Sequence, residues 1–334
     1  MARHVNIPVF IPHLGCPNQC VFCNQRTISG VREFCPSDFV RIVEDALSTI
    51  EEDAEVEIAF FGGSFTGIDR SLMISLLKEA KKFLDCGRVH SLRCSTRPDY
   101  IDEDIIAILK EYGLNTVELG LQSSSEQVLS ASKRGHGFSD ELRACRLIKE
   151  AGLELVGQMM IGLPESSLGD EIKTARFIIS SGASAVRIYP TVVFFDTELS
   201  DMLRAGVYSP LSLEDAVYRS KEVLKEFIGK DIKILRIGLC ASENLRSEKT
   251  YFAGPNHPAL GELIEGEVYY DLIRELLVKS KGAKEFVTLY CPKGSVSKVL
   301  GHGRKNKIRL VNEFGIKRLN VKEDGSLNNY QVRI

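Results

Sequence analysis

Gly15-Cys16-Pro17-Asn18-Gln19-Cys20-Val21-Phe22-Cys23 carries three thiols within eight residues, spaced Cys-x3-Cys-x2-Cys. At that spacing all three can reach one small inorganic centre. Three ligands are one short of a closed tetrahedral site. A structural zinc takes a fourth protein ligand, whereas a catalytic cluster keeps one iron open. His13 lies three residues before Cys16, so a Cys3His zinc site stands as the alternative. Cys35, Cys86, Cys94, Cys145, Cys240 and Cys291 are scattered and read as structural, although any could supply a fourth ligand in space.

The cysteines directly follow an apolar, β-rich run at 5–11. Similar runs recur at 56–61, 89–94, 116–119, 154–160 and 185–189. Helical patterns alternate with them at 37–50, 70–84, 102–112, 139–151 and 168–180. In the second of these, Ile74, Leu77, Ala80, Lys81 and Leu84 fall on one, mostly apolar face at helical spacing. Six repeated βα units predict α/β architecture: a parallel sheet with helices outside, as an open, partial (β/α)6 barrel. Chemistry in such sheets sits at the carboxyl ends of the strands. The cysteines, Gly62-Gly63-Ser64, Cys94-Ser95-Thr96 and Gly120-Leu121-Gln122 all fall there.

A different pattern starts near residue 211, with a helix over 211–228, a strand over 232–239, a Gly/Pro-rich loop over 253–261 and a helix over 263–277. A small unit follows: strand 285–290, helix near 295–300, a glycine turn, helix 305–314, and strands 316–321 and 328–334. The expected division is a barrel over 1–230, a connecting region over 231–282 and a basic α+β domain over 283–334.

Net charge is −2, but residues 292–334 hold ten Lys/Arg against three Asp/Glu. A basic tail on an acidic body points to a polyanionic partner, with a merely solvated basic face as the alternative. No apolar run approaches the roughly 20 residues that cross a bilayer, and no secretory leader pattern is present. Nine cysteines, an odd number, argue against a paired extracellular framework. The expectation is a cytoplasmic protein with no membrane partner.

Cys16-x3-Cys20-Val21-Phe22-Cys23, with Phe22 as the aromatic, resembles the hallmark of the radical S-adenosylmethionine (SAM) superfamily. The resemblance implies a [4Fe-4S] cluster on Cys16, Cys20 and Cys23, SAM chelated to the open iron, and an electron donor such as flavodoxin or ferredoxin. One electron then cleaves SAM to methionine and a 5′-deoxyadenosyl radical, which breaks a C–H bond that acid–base groups cannot. It also implies that Gly62, Gly63 and Ser64 hold the SAM amino group and Arg134 its carboxylate. Gln158 would face the ribose, and Ile161 and Gly162 the adenine. Phe22, Ser95 and Gln122 complete the candidate cofactor set. No residue is assigned as catalytic.

Gly62-Gly63-Ser64-Phe65-Thr66, Val117-Glu118-Leu119-Gly120-Leu121-Gln122-Ser123, Arg134-Gly135-His136 and Ile188-Tyr189-Pro190-Thr191-Val192-Val193 are similar to the Elongator catalytic subunit, which modifies wobble uridine in tRNA. That likeness spans about 5–228. Two departures are the closer spacing of the first two cysteines and a chain that ends without an acetyltransferase domain, so acetyl-CoA-dependent carboxymethylation is not expected. Oxygen-independent coproporphyrinogen oxidases share Gly120-Leu121-Gln122-Ser123 and Gly162-Leu163-Pro164 more loosely. His257, in the Gly/Pro-rich loop, reads equally as substrate-facing or structural. The tail's order, strand–helix–glycine turn–helix–strand, resembles a KH module, whose Gly-x-x-Gly loop clamps a nucleic-acid backbone. Arg304 stands where its last glycine belongs, and Arg304, Lys305, Lys307 and Arg309 are the candidate phosphate contacts. The leading expectation is a radical SAM enzyme acting on RNA, with tRNA as partner. The competitors are a radical SAM enzyme on a small molecule or tetrapyrrole, and a zinc-stabilised RNA-binding module without activity.

Overall fold

A computed structural model of the chain describes residues 4–11, 14–16, 20–24, 33–239, 250–280 and 285–334. His13 and Cys240, both named above as potential metal ligands, lie outside the described residues. The chain divides into two compact units, Met1–Pro210 with Asp231–Gly254, and Leu211–Lys230 with Pro255–Ile334.

In the first unit β1 (His4–Phe10), β2 (Glu55–Phe61), β3 (Ser91–Thr96), β4 (Thr116–Gln122), β5 (Glu154–Ile161) and β6 (Ala185–Pro190) lie side by side in chain order, all parallel. β7 (Val193–Phe194) leaves the sheet, and β8 (Lys233–Ile237) returns to pair parallel with β6. β9 (Tyr251–Ala253) runs antiparallel to β7. Among the described residues the sheet has seven strands, one more than the six expected. The strand at 232–239 was legible by composition, but its place beside β6 depends on a pairing across some forty intervening residues that no local pattern encodes.

Among the described residues the helices of this unit are α1 (Phe39–Leu47), α2 (Arg70–Asp85), α3 (Glu103–Glu111), α4 (Glu126–Ala131), α5 (Phe138–Glu150), α6 (Leu168–Ser180) and α7 (Glu198–Arg204). The starts of α2, α3, α6 and α7 are fixed by side chains that satisfy free N–H groups of the first turn. Leu72 N donates to Asp69, Ile105 N to Asp102, and Ser167 with Asp170 forms a reciprocal capping box on α6.

Strand alternation sorts the sheet into two unlike faces. Ile7, Val9, Ile58, Phe60, Leu92, Cys94, Val117 and Leu119 are fully buried on one. The opposite face carries Glu57, Arg93, Glu118, Gln158 and Arg187, joined by hydrogen bonds and ion pairs. At the end of β2, Phe60 stacks on Phe39 with ring centroids 5.8 Å apart and on Phe65 at 4.2 Å. This stack braces both sides of the Gly62-Gly63-Ser64 turn.

The second unit pairs α8 (Leu213–Phe227) with α9 (Leu260–Lys279), where Lys221 and Lys225 reach Asp271 at 2.8 and 3.2 Å. β10 (Phe286–Cys291), α10 (Val296–Leu300), α11 (Lys305–Phe314) and β11 (Arg318–Glu323) follow in the expected order, with the two strands parallel. Tyr269, Ile273, Val287, Leu289, Val299, Leu310 and Leu319 form its core. Gly301 abuts Asn306, which is 2% exposed and donates to Gly266 O at 2.7 Å; a Cβ at Gly301 would meet the Asn306 side chain at 2.7 Å. The strand expected over 328–334 does not form; only a single bridge joins Tyr290 and Arg333. Tyr330 adopts φ +62 and spends its polar groups on side chains: its N–H donates to the Tyr269 hydroxyl and its own hydroxyl to Glu265. No helix among the described residues is long and apolar enough to cross a membrane.

Candidate functional site

The cysteine loop is anchored from three directions. Ile11 N donates to Phe61 O at 2.7 Å, and Ser64 N donates to Leu14 O at 3.3 Å, so the loop leaves β1 against the turn after β2. Val21 N donates to Ser132 O after α4, and Leu199 N in α7 donates to Val21 O at 2.7 Å. Val21 is buried with Val193, Leu199 and Tyr208. Cys23 N donates to Cys20 O at 2.9 Å, closing a turn that spans the second and third thiols. Gly15 is the tightest point. It takes φ +75, and a Cβ there would fall 2.2 Å from Ser64 O and 2.6 Å from backbone atoms of Gly67 and Ile68.

Two arginines stand behind the loop. Arg134, 5% exposed, donates from Nη1 to Cys20 Sγ at 3.2 Å and from Nη2 to Gly120 O, while its Nε has no partner. Arg97 is held in a two-pronged bond by Asp99, at 2.9 Å on each prong, and also donates to Arg134 O. Burial pushes the Cys16 thiol up, while the charges of Arg97 and Arg134 pull against that shift. Positive charge so placed favours thiolate, the form that binds metal. Behind the arginines lies the buried pair His136 and Glu141, with Nε2 3.4 Å from Oε1 and the second Glu141 oxygen unpartnered. Burial raises the Glu141 carboxyl to about 7, against the opposing pull of His136. Burial also works against ionising Asp99, but hydrogen bonds from His136 and Arg97 outweigh it and hold that carboxyl well below its ordinary range.

A cavity of about 500 Å³ opens at the strand ends, a volume suited to a nucleoside-sized ligand. Phe22, Gly62, Gly63, Ser95, Gln122 and Gln158 line it, as does Cys23. Gln122 holds φ +69 in a bulge of β4 and buries an unpartnered side-chain oxygen, the kind of strained, unsatisfied residue that collects at functional sites. Gln158 donates to Glu118 and, at 3.4 Å, to Ser95 Oγ.

Four residues expected at the cofactor are not on the cavity wall. Ser64 is fully buried, bonded to Thr96 Oγ1 at 2.8 Å and to Arg97 N. Arg134 sits behind Cys20. Ile161 is fully buried, because alternation along β5 turns it to the apolar face. Gly162 is tied by its backbone, donating to Glu171 and accepting from the Tyr208 hydroxyl. Sequence reading missed Arg97, Glu118, Arg187 and Arg236. For Glu118, Arg187 and Arg236 the signal was available as a charged residue inside an otherwise apolar strand, and Arg97 directly follows one.

No three His, Cys, Asp or Glu side chains among the described residues close on a common metal-binding point. Thiolates repel one another until a cation gathers them, so such a site is completed by its metal. The donor set still suits an iron–sulfur cluster: three reduced cysteines on a braced loop, with guanidinium charge beside two of them. The cavity beside Cys23, with its glycine-walled edge and its unpartnered Gln122 oxygen, suits a nucleoside cofactor.

Comparison with known proteins agrees with this geometry. Residues 10–178 match the radical SAM superfamily and residues 183–270 a radical SAM C-terminal domain. The chain is 31% identical over 183 residues to the tRNA uridine(34) acetyltransferase of Methanocaldococcus infernus, covering 49% of this chain and 34% of that protein. It is 30% identical over 125 residues to human Elongator complex protein 3, covering 36% and 23%. The chain thus spans about a third of the former relative's length. Among solved structures, the archaeal Elp3 of M. infernus superposes with a TM-score of 0.64 at 24% identity, covering 82% of this chain and 64% of that one. SuiB of Streptococcus suis bound to S-adenosylmethionine superposes at 0.52 with 13% identity, covering 73% and 52%.

Gly15→Ala is expected to displace the loop, since the clashing atoms are backbone and cannot swing away. Reconstituted iron per chain should fall at least severalfold with the far-ultraviolet dichroism unchanged; full iron loading would contradict this packing argument. Glu141 gives a pH signature. Its folded carboxyl keeps, up to about 7, a proton that the unfolded chain releases near the ordinary 4.5. Stability from this group is therefore complete below pH 4.5 and declines as pH rises to about 7, by on the order of 3 kcal/mol. Urea midpoints at pH 4.5 and 8 should show Glu141→Gln flattening that slope, and parallel slopes for the two proteins would refute it.

Proposed function

The chain belongs to the radical SAM superfamily, and from that premise we propose that it is an RNA-modifying enzyme with tRNA as its substrate. Enzymes of this superfamily use a [4Fe-4S] cluster and SAM. Cys16, Cys20 and Cys23 would hold that cluster, and together with SAM it would supply the one-electron chemistry that yields a 5′-deoxyadenosyl radical able to break a C–H bond.

In this reading Cys16, Cys20 and Cys23 hold the cluster, and Arg97 and Arg134 offset its charge from behind. Arg134 Nε, buried without a hydrogen-bond partner, is the donor this reading leaves for the SAM carboxylate. Gly62 and Gly63 let backbone approach the amino group. Gln158 and Ser95, hydrogen-bonded to each other, offer the ribose a donor and an acceptor. Phe22 and the strand-end aromatics exclude water from the reacting atoms.

The observation that carries the RNA reading lies in the second unit. A groove of about 560 Å³ is lined by Arg304, Lys307, Arg318 and Lys322 over an apolar floor of Val296, Leu300, Leu319 and Val321. Among the described residues none of the four cations pairs with a carboxylate, whereas Lys298, Arg274 and Lys317 nearby all do. Cations over an apolar floor suit a single strand, with phosphates on the rim and bases on the floor. Among the described residues β11 pairs only with β10, which leaves its other edge open to base edges. Arg304 takes φ +63, the glycine-favouring conformation at the place where a Gly-x-x-Gly loop ends. An arginine held there at a cost of about 1 kcal/mol or more points to a role for its side chain. Lys305 is exposed beside it. Arg309 is the weakest member of the expected set, since it is ion-paired to Glu267 at 2.6 Å and stacked 3.5 Å over Tyr270.

The test is tRNA binding as a function of salt. Each lysine that contacts a phosphate contributes a little under one unit to the slope of log K against log salt. Lys307→Gln with Lys322→Gln should lower that slope by between one and two units and weaken binding by roughly tenfold or more. An unchanged slope, or no tRNA binding by the wild type, would favour a small-molecule substrate.

A further inference from the structure

β6 and β8 set two arginines opposite each other. Arg187 and Arg236 are register partners, and both line the cavity at the strand ends. Like charges so placed repel unless a counter-charge lies between or beside them. Arg187 has one: its Nε, though off the line of a hydrogen bond, lies 2.8 Å from Glu118 Oε1 as an ion pair, and Tyr189 adds a hydrogen bond. Arg236 has none. Among the described residues no carboxylate pairs with it, and its buried Nε lacks a hydrogen-bond partner.

The same imbalance holds across the polar face of the sheet. Glu57 and Glu118 are the buried carboxylates there. Glu57 is taken by Arg93 at 2.8 Å, with His4 at 3.6 Å, and Glu118 is shared between Arg93 at 3.4 Å and Arg187. Two acidic groups thus face three guanidiniums, and the surplus positive charge is Arg236. A partly buried, uncompensated charge destabilises a fold, and a ligand that brings the missing charge removes that cost.

We propose that Arg236 anchors a phosphate of the substrate nucleotide whose base enters this cavity. Two features select a nucleotide over other anions. The guanidinium fork matches the oxygens of a phosphate. Phe22, Phe61, Tyr189 and Phe194 line the same space with flat rings on which a nucleobase can stack. Phosphate at one end and aromatic faces at the other would fix the base against the SAM side of the cavity. Arg236 is then a substrate-specificity residue, and the assignment rests on the RNA reading above.

Calorimetric titration of the anaerobic holoenzyme, with cluster and SAM bound and no reductant, tests this. Each of the four nucleoside 5′-monophosphates is compared with its nucleoside and with inorganic phosphate. At least one nucleotide should bind tighter than its nucleoside by about tenfold or more, the factor a charge-assisted hydrogen bond supplies. Arg236→Gln should erase that margin, and Arg236→Lys should keep part of it. The lysine variant also decides the matter should the glutamine variant fail to fold, since full retention of the margin would count against the anchor. The proposal is overturned if no nucleotide exceeds its nucleoside, if the margin survives Arg236→Gln, or if inorganic phosphate binds as tightly as the nucleotide. It is likewise overturned if Arg236→Gln weakens SAM by the same factor, which would assign the residue to the cofactor. The margin is read without RNA, so its failure is separable from failure of tRNA binding in the groove of the second unit.

Discussion

The contact between Gly15 and the turn that follows β2 is the constraint on which the site depends. Backbone meets backbone there, with no room for a single added carbon. The described residues of the cysteine loop form only turns, so their position is borrowed from their neighbours. It is taken from the end of β1, from the turn after β2 that the Phe39, Phe60 and Phe65 stack holds rigid, and from hydrogen bonds to the chain after α4 and to α7. Thiols delivered in this way can be drawn onto iron with little further ordering of the chain around them. The guanidiniums of Arg97 and Arg134 lie beside the cysteines, and a chain of buried groups, Asp99, His136 and Glu141, keeps them there.

The sheet does a second job. One face is an ordinary apolar core under helices. The other is a row of paired charges that leads from β2 to β8 and ends on an unpaired arginine. Such a face would be a poor choice for stability alone, because ion pairs taken out of water barely recover the cost of desolvation. It suits a cavity in which a charged cofactor and a charged substrate must be received together. In the second unit, cations likewise stand without partners along a groove. In both places the unmatched charge is positive.

Much of this was legible in the sequence, and the reasons differ from place to place. Six of the seven sheet strands follow from βα alternation, because burial on both faces leaves apolar runs with turn residues at each end. β8 was visible as a strand but not as a member of the sheet, since pairing at long range leaves no local trace. Cys16, Cys20 and Cys23 stood out by spacing alone. Gly62, Gly63, Gln122 and Gln158 line the cavity as the strand-end rule requires. Ile161 and Ser64 do not, because a motif gives position along a strand but not the face to which a side chain turns. Arg236 was passed over for the opposite reason: a lone arginine in a short apolar strand reads as an edge residue until its neighbours are known. The 328–334 strand failed on backbone conformation, with Tyr330 at φ +62.

The central claim is that three cysteines hold an iron–sulfur cluster with one iron open to SAM. Electron paramagnetic resonance of the anaerobically reconstituted, reduced protein tests it most directly, with iron and sulfide counted on the same sample. The account predicts about four iron and four sulfide per chain and a cluster signal that changes when SAM is added. One tightly held zinc in place of iron, or a cluster signal indifferent to SAM, would contradict it.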